Sequence, residues 1–503
     1  MRLPRLVSAI LLVLFLAAPV DLAAIPAAPP ASSAAGARTD AAPSSGSATA
    51  TKAAAKTVAT KTVAPAGAST PASPGFEPAP PDMVRMCEEV ARDVEALRGW
   101  KFKEPVKKAL CTPEFARASL ARQIDKQVPP ERLAASQALL RMVGLLPPDC
   151  DLRKAYLDVL QEQAAGFYDT ETKTLYLVKR GGAASPMIDR IMIAHELTHA
   201  LDDQHIDLDK WIKVFAGAGE DAELVGASVM EGSATALMTQ YMTRAMASGR
   251  LDMEEVMRYA QEENKRSKVL AESPRYFTAM VGAYICGMNF LARGNMIGMV
   301  LQPDNRAVGQ NLLDAVKDPP RSMRQIIHPE KYWDRAARDD PVVVNDEAAE
   351  KLLVGAGAGK LRVVHKDTLG ELLAAILTRP RNEAFDPMAA ATAESWTSPA
   401  ARGWIGDRFY LIAQADPKGK PTDLDKSKGA WLTFWDAEQS RDDFVRAYEA
   451  TGPAGHATFK LGNVGAVFFF GFDEAERKAL QQKLESSPPP MLRGGKPWAP
   501  WSI

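Results

Sequence analysis

The sequence predicts a mainly helical protein with a small β-hairpin or sheet beside its central helix, followed by a C-terminal α+β unit. Three features point there. Long stretches between Met83 and Leu291 carry apolar residues at helical spacing. The pentapeptide His195-Glu196-Leu197-Thr198-His199 lies downstream of strong helix-start signals. After about Asp334 the spacing changes, and short runs rich in aromatic and branched residues alternate with two helical segments.

Taken in order, Arg2 and Arg5 precede an apolar run from Leu6 to Val20, the pattern of an export signal, so residues 1–24 are expected to direct the chain to the periplasm or outside. Asp21 and Leu22 stand where a cleavage site wants small residues, which leaves an uncleaved anchor as the alternative. Residues 25–81 are almost all Ala, Pro, Ser, Thr and Gly and cannot bury enough apolar surface to fold. They read as a disordered linker that would keep the rest near a membrane or cell wall.

The remainder exceeds a typical single domain, and a division into residues 82–335 and 336–503 is expected. In the first part Met83–Leu97, Pro113–Gln127, Glu131–Met142, Met253–Ala271 and Arg275–Leu291 show helical periodicity. Gly166–Asp169 and Thr174–Val178 flank a polar turn and read as a strand pair. The second strand, placed at a sheet edge, would pair with an extended peptide. The methionines from Met280 to Met299 are read as core packing. In the second part Phe409–Ile412, Ala430–Phe434 and Val467–Phe470 are strand-like, and Ser440–Ala450 and Asp473–Glu485 are helical. Gly355–Gly359 lacks the Lys-Ser/Thr ending of a phosphate loop, and no catalytic constellation follows it.

Lysine and arginine number 61 against 62 acids, so no overall field draws the chain to nucleic acid. Cys87, Cys111, Cys150 and Cys286 are even in number, and an exported chain would allow disulfides clamping the N-terminal helices.

Chemistry concentrates in the pentapeptide. Positions four apart on a helix share one face, so His195 and His199 can grip one metal ion while Glu196 stands beside them. Ser185, Pro186 and Asp189 supply a cap, a first-position proline and a first-turn acid, placing the motif in mid-helix. Ile188, Ile191 and Met192 extend the histidines' face as a buried stripe. One Zn2+ per chain suits such a set, which points to hydrolysis by an activated water with Glu196 as general base. A third ligand is needed, and two residues compete. His205 has the spacing of the metzincin pattern, but Asp202 occupies the position where that pattern turns on glycine. Glu231 lies in a second helical segment among small and apolar neighbours, where an unpaired carboxylate would be costly to bury. The sequence favours Glu231, a gluzincin-like arrangement. Glu220 and Glu223 lie nearer that helix's acidic start, where the helix dipole accounts for them.

Two stretches, His195-Glu196-Leu197-Thr198-His199-Ala200-Leu201-Asp202-Asp203-Gln204-His205 and Glu231-Gly232-Ser233-Ala234-Thr235, resemble a family of exported bacterial zinc metallopeptidases of gluzincin type, mostly uncharacterised. Gly166–Asp169, Thr174–Leu177 and Ile327–Tyr332 resemble further signatures, and the likeness covers roughly residues 84–335. It implies a zincin-like metallopeptidase domain over 82–335, a peptide or protein substrate, and an oxyanion donor among His328, Tyr332 and Tyr284, of which His328 is preferred. Better-known gluzincins place a supporting Asp four residues after the third ligand; here Thr235 stands there. The competing expectation is a catalytically inactive metallopeptidase-like module that binds peptides or serves structurally. Intact Glu196 argues against it, since a structural site needs no base.

Overall fold

Prolines at the first helical position open three of the early helices, where the missing N–H costs nothing. The computed structural model describes residues 75–163, 165–179, 186–266, 272–354, 361–380, 392–416, 419–486 and 491–492. The expected export segment, nearly all of the linker, Ser185 and Gly355–Gly359 lie outside these residues. Helices α1 (Pro81–Arg98), α2 (Pro113–Gln127), α3 (Pro130–Met142) and α4 (Leu152–Gln163) come first. Then follow α5 (Pro186–Ile206), α6 (Leu208–Phe215), α7 (Glu220–Ala247), α8 (Met253–Arg266) and α9 (Thr278–Leu291). Shorter helices α10 (Met296–Val300), α11 (Arg306–Lys317), α12 (Met323–Ile327) and α13 (Glu330–Trp333) complete the helical part. The chain is mainly helical, with small sheets, and no helix among the described residues is long and apolar enough to cross a membrane.

The first sheet has the order β1-β2-β4-β3, from β1 (Phe76–Pro78), β2 (Lys107–Cys111), β3 (Gly166–Asp169) and β4 (Thr174–Val178). Strands β3 and β4 form the expected antiparallel hairpin, with Tyr168 opposite Leu175. Its turn is held by the Asp169 carboxylate, which accepts from the Glu171 amide at 2.9 Å and the Thr172 hydroxyl at 3.0 Å. The expectation that Thr174–Val178 is an edge strand is corrected. Strand β2 pairs with β4 in parallel, so β4 is interior and β3 forms the edge.

After β5 (Val343–Val344), helix α14 (Asp346–Val354) leads into a five-stranded antiparallel sheet with the order β6-β7-β8-β10-β9. Its strands are β6 (Leu361–Asp367), β7 (Trp404–Gln414), β8 (Lys428–Trp435), β9 (Ala457–Leu461) and β10 (Gly465–Phe470), interspersed with α15 (Gly370–Leu377), α16 (Glu438–Thr451) and α17 (Glu474–Ser486). Alternation splits the faces. Phe409, Leu411, Trp431 and Phe468 join the same core as the helical part, whereas Tyr410, Ile412, Leu432 and Phe469 pack in a second core with Leu480 and Leu484 of α17. The described residues belong to one compact unit.

Two carboxylates fasten the sheet to the helices. Asp407 accepts from the Leu369 and Gly370 amides and from the Trp404 and Trp431 indoles, all at 2.8–2.9 Å, and so caps α15. Asp367, at the end of β6, accepts from the Glu220 amide at 2.6 Å and caps α7, whose own N-cap residue is Gly219. Burial opposes ionisation of Asp367, but the His365 ring at 3.1 Å overcomes it and holds the carboxyl at about 2. Asp367→Ala is therefore expected to cost about 1 to 2 kcal/mol at neutral pH. Because the folded value is depressed, this difference should persist above about pH 4 and fade as the pH drops through 2, as urea unfolding at several pH values would show.

None of the four cysteines is paired, contrary to the expected disulfide clamp. Cys87, Cys111 and Cys286 are buried in the main core as small apolar side chains, and burial pushes the Cys87 thiol up to about 11.

Candidate metal centre

Helix α5 runs through the middle of the fold. Every residue from Ile191 to Asp203 is buried, so the stripe expected from the sequence is in fact a helix covered on all sides. Helix α7 is buried almost as fully from Glu220 to Met242, since Gly226 lets Phe215 of α6 lie against it and Gly232 lets α9 approach. A Cβ on Gly232 would stand 2.1 Å from the Gly287 carbonyl carbon, and one on Gly287 would stand 1.8 Å from the Ser228 oxygen. This backbone contact brings the Glu231 turn of α7 and the Tyr284 turn of α9 together.

The two helices present the motif histidines to Glu231. His199 Nε2 lies 3.1 Å from His195 Nε2, and the Glu231 Oε2 atom lies 3.3 Å from the first imidazole and 3.2 Å from the second. Among the described residues these three form a group that could hold a metal ion, and all three are buried. Burial opposes ionisation of Glu231, but the His199 and His195 imidazoles hold its carboxyl well below the usual carboxylate range. Three donors each about 2.0–2.1 Å from a common centre at tetrahedral angles stand roughly 3.3–3.4 Å apart. The observed spacing is close to that, so the set fits one zinc-sized ion.

His205 is not part of it. Its ring stacks on Trp100 with centroids 4.8 Å apart, and Nε2 meets the Lys101 carbonyl at 2.9 Å. Glu220 and Glu223 are also elsewhere, buried at the start of α7. The Tyr276 hydroxyl donates to Glu220 at 2.7 Å, and Arg132 pairs with Glu223 at 2.5 Å.

Glu196 is buried beside the histidines, and its Oε2 accepts from the Tyr168 backbone N–H at 2.9 Å. Strand β3 is the edge of its sheet, and this N–H ties it to α5. No residue pattern signals this bond, which joins positions 28 residues apart. Tyr284 completes the cluster. Its ring lies over His195 with centroids 6.2 Å apart. Burial, then the charges of Glu231 and Glu196, push its hydroxyl well above the ordinary tyrosine range.

Of the three expected oxyanion donors, the structure places only Tyr284 at the histidines. His328 instead meets the buried Glu371 carboxylate at 2.8 Å, in a knot with Arg324 and Thr397, and the preference for it is corrected. The Tyr332 hydroxyl donates to the Asp318 carbonyl at 2.5 Å.

The polar turn after His199 also gains a physical account. Asp203 receives the Tyr168 hydroxyl at 2.8 Å and Lys173 at 2.6 Å, which pins the hairpin to α5. The Gln204 side chain clamps the backbone of Lys103 and Glu104 through bonds of 2.7–3.1 Å. Asp202 turns inward to Arg98 and Ser233.

Residues 360–468 match the model of a domain of unknown function (DUF8575), which takes in the C-terminal sheet up to β10 and leaves His195, His199 and Glu231 outside. No curated protein and no solved structure matches the chain.

Proposed function

We propose that this protein is a zinc-dependent peptidase of gluzincin type, with a zincin-like arrangement in its helical part. The observation that carries the reading is the triangle of His195 Nε2, His199 Nε2 and Glu231 Oε2, with sides of 3.1–3.3 Å, beside a buried Glu196. His195, His199 and Glu231 would hold the ion, and one zinc there supplies Lewis acidity and a lowered water pKa. Glu196 takes the proton from the attacking water and returns it to the leaving amine. Its bond to the Tyr168 amide orients the carboxylate. Tyr284, held protonated, donates to the oxygen on which negative charge develops as the peptide carbonyl is attacked. The N-terminal pattern supports action on peptides outside the cytoplasm.

Metal analysis of the purified protein tests the ligand set. One zinc per chain is expected in the wild type and in His205→Ala, and loss of zinc in Glu231→Ala. Loss in His205→Ala with retention in Glu231→Ala would reject the proposed site. Cleavage of a mixed peptide library by the zinc-loaded wild type then tests the reaction.

A further inference from the structure

Arg98 is the last residue of α1 and is fully buried, together with Asp202, three residues past His199, and Ser233, two residues past Glu231. Arg98 Nη2 donates to the Ser233 hydroxyl at 2.7 Å and approaches Asp202 at 3.2 Å, and the Ser233 hydroxyl donates to Asp202 at 2.6 Å. We propose that Arg98, Asp202 and Ser233 are positioning residues that hold the His199 turn of α5 and the Glu231 turn of α7 at the spacing a metal ion requires, an inference that rests on the zinc-site reading above.

Three observations support it. First, the usual outer supports are missing among the described residues: His195 Nδ1, His199 Nδ1 and Thr235 Oγ1 are all buried without a hydrogen-bond partner. Metal-bound imidazoles ordinarily donate their second N–H to an acceptor that orients the ring. Here the orientation must come from the helices themselves, and this network ties the two ligand-bearing turns directly. Second, the network is costly as mere packing. Burial pushes the Asp202 carboxyl up and the Arg98 guanidinium down, each opposed by the other's charge, and Arg98 Nε and Nη1 have no partner. Apolar side chains of the same volume would join three helices at lower cost, but they would not fix rotation and register as directional bonds do. Third, Arg98 is itself held in place. It lies 5.3 Å from the Trp100 ring centre, and a Cβ on Gly309 would stand 3.0 Å from its Cδ.

The experiment compares Ser233→Ala, Ser233→Thr and Asp202→Asn in the full chain, reading zinc affinity by chelator competition, metal-free thermal unfolding, and the ring signals of 13C-labelled histidine. With six histidines in the chain, those of His195 and His199 can be assigned singly. Ser233→Ala should weaken zinc binding about 10-fold or more and broaden both ring signals, while Ser233→Thr restores most of the affinity. Zinc affinity and ring signals like the wild type, with only a lowered unfolding midpoint, would reduce the network to structural cement and overturn the proposal. Should Ser233→Ala fail to fold, Asp202→Asn decides by the same criteria, since its amide oxygen can still accept from Ser233. If the wild type takes up no zinc, the zinc-site reading falls, and the ring signals of the metal-free variants decide this inference alone.

Discussion

Replacing Glu196 with glutamine is expected to leave one zinc per chain while cleavage of a mixed peptide library falls by about 10³-fold. Glutamine has the same shape, and its carbonyl oxygen can still accept the Tyr168 amide that Glu196 Oε2 accepts at 2.9 Å. The hairpin, the helix and the two imidazoles should therefore stay in place. What disappears is basicity, since an amide oxygen cannot take a proton from water near neutral pH. Cleavage equal to the wild type would remove the peptidase proposal, whereas retained zinc with lost cleavage separates the base from the metal ligands in a single variant.

Gly287→Ala should have the largest effect on stability, about 3 kcal/mol or more, read as a collapse of the urea midpoint or a failure to express folded protein. The added methyl would stand 1.8 Å from the Ser228 carbonyl oxygen, and no side-chain rotation relieves a collision with backbone. The helices would have to separate. That would also draw Tyr284 away from Glu231, so any folded fraction should lose cleavage more than it loses zinc. Gly249→Ala is the control, because nothing lies within 4 Å of the position a Cβ would take there, and its only penalty comes from a φ of 69°. Similar losses in both variants would show that the α7–α9 contact has no special role.

Much of this site was legible in the residues themselves. The His-Glu-x-x-His spacing needs only one helix to bring its histidines together, and Glu231 stood out as a carboxylate among Leu224, Ala234 and Met238. Tyr284 was only one of three candidates, since it sits in a segment apolar enough to pass as plain core; the pairing of Gly232 with Gly287 that brings it to the histidines is visible only in three dimensions. His328 lies in a stretch that resembles a family signature, and nothing in the sequence announces its partner, a buried Glu371 43 residues later. The sheet edge was misread for a related reason. Strand β2, Lys107–Cys111, is short, with adjacent lysines rather than clear alternation, so the second neighbour of β4 carries no strand signal. Helix periods and motif spacings are local properties, whereas edges, orphaned imidazoles and cross-helix ion pairs arise from long-range contact.

The Asp367 carboxylate has a practical consequence for anyone wishing to shorten this chain. A fragment ending near Asp334 would retain all three nitrogen and oxygen donors, yet the rod that carries the acidic one would begin with unanswered amides, and the tryptophan-rich wall behind the fragment would be gone. Recombinant work aimed at catalysis should therefore start from the intact polypeptide.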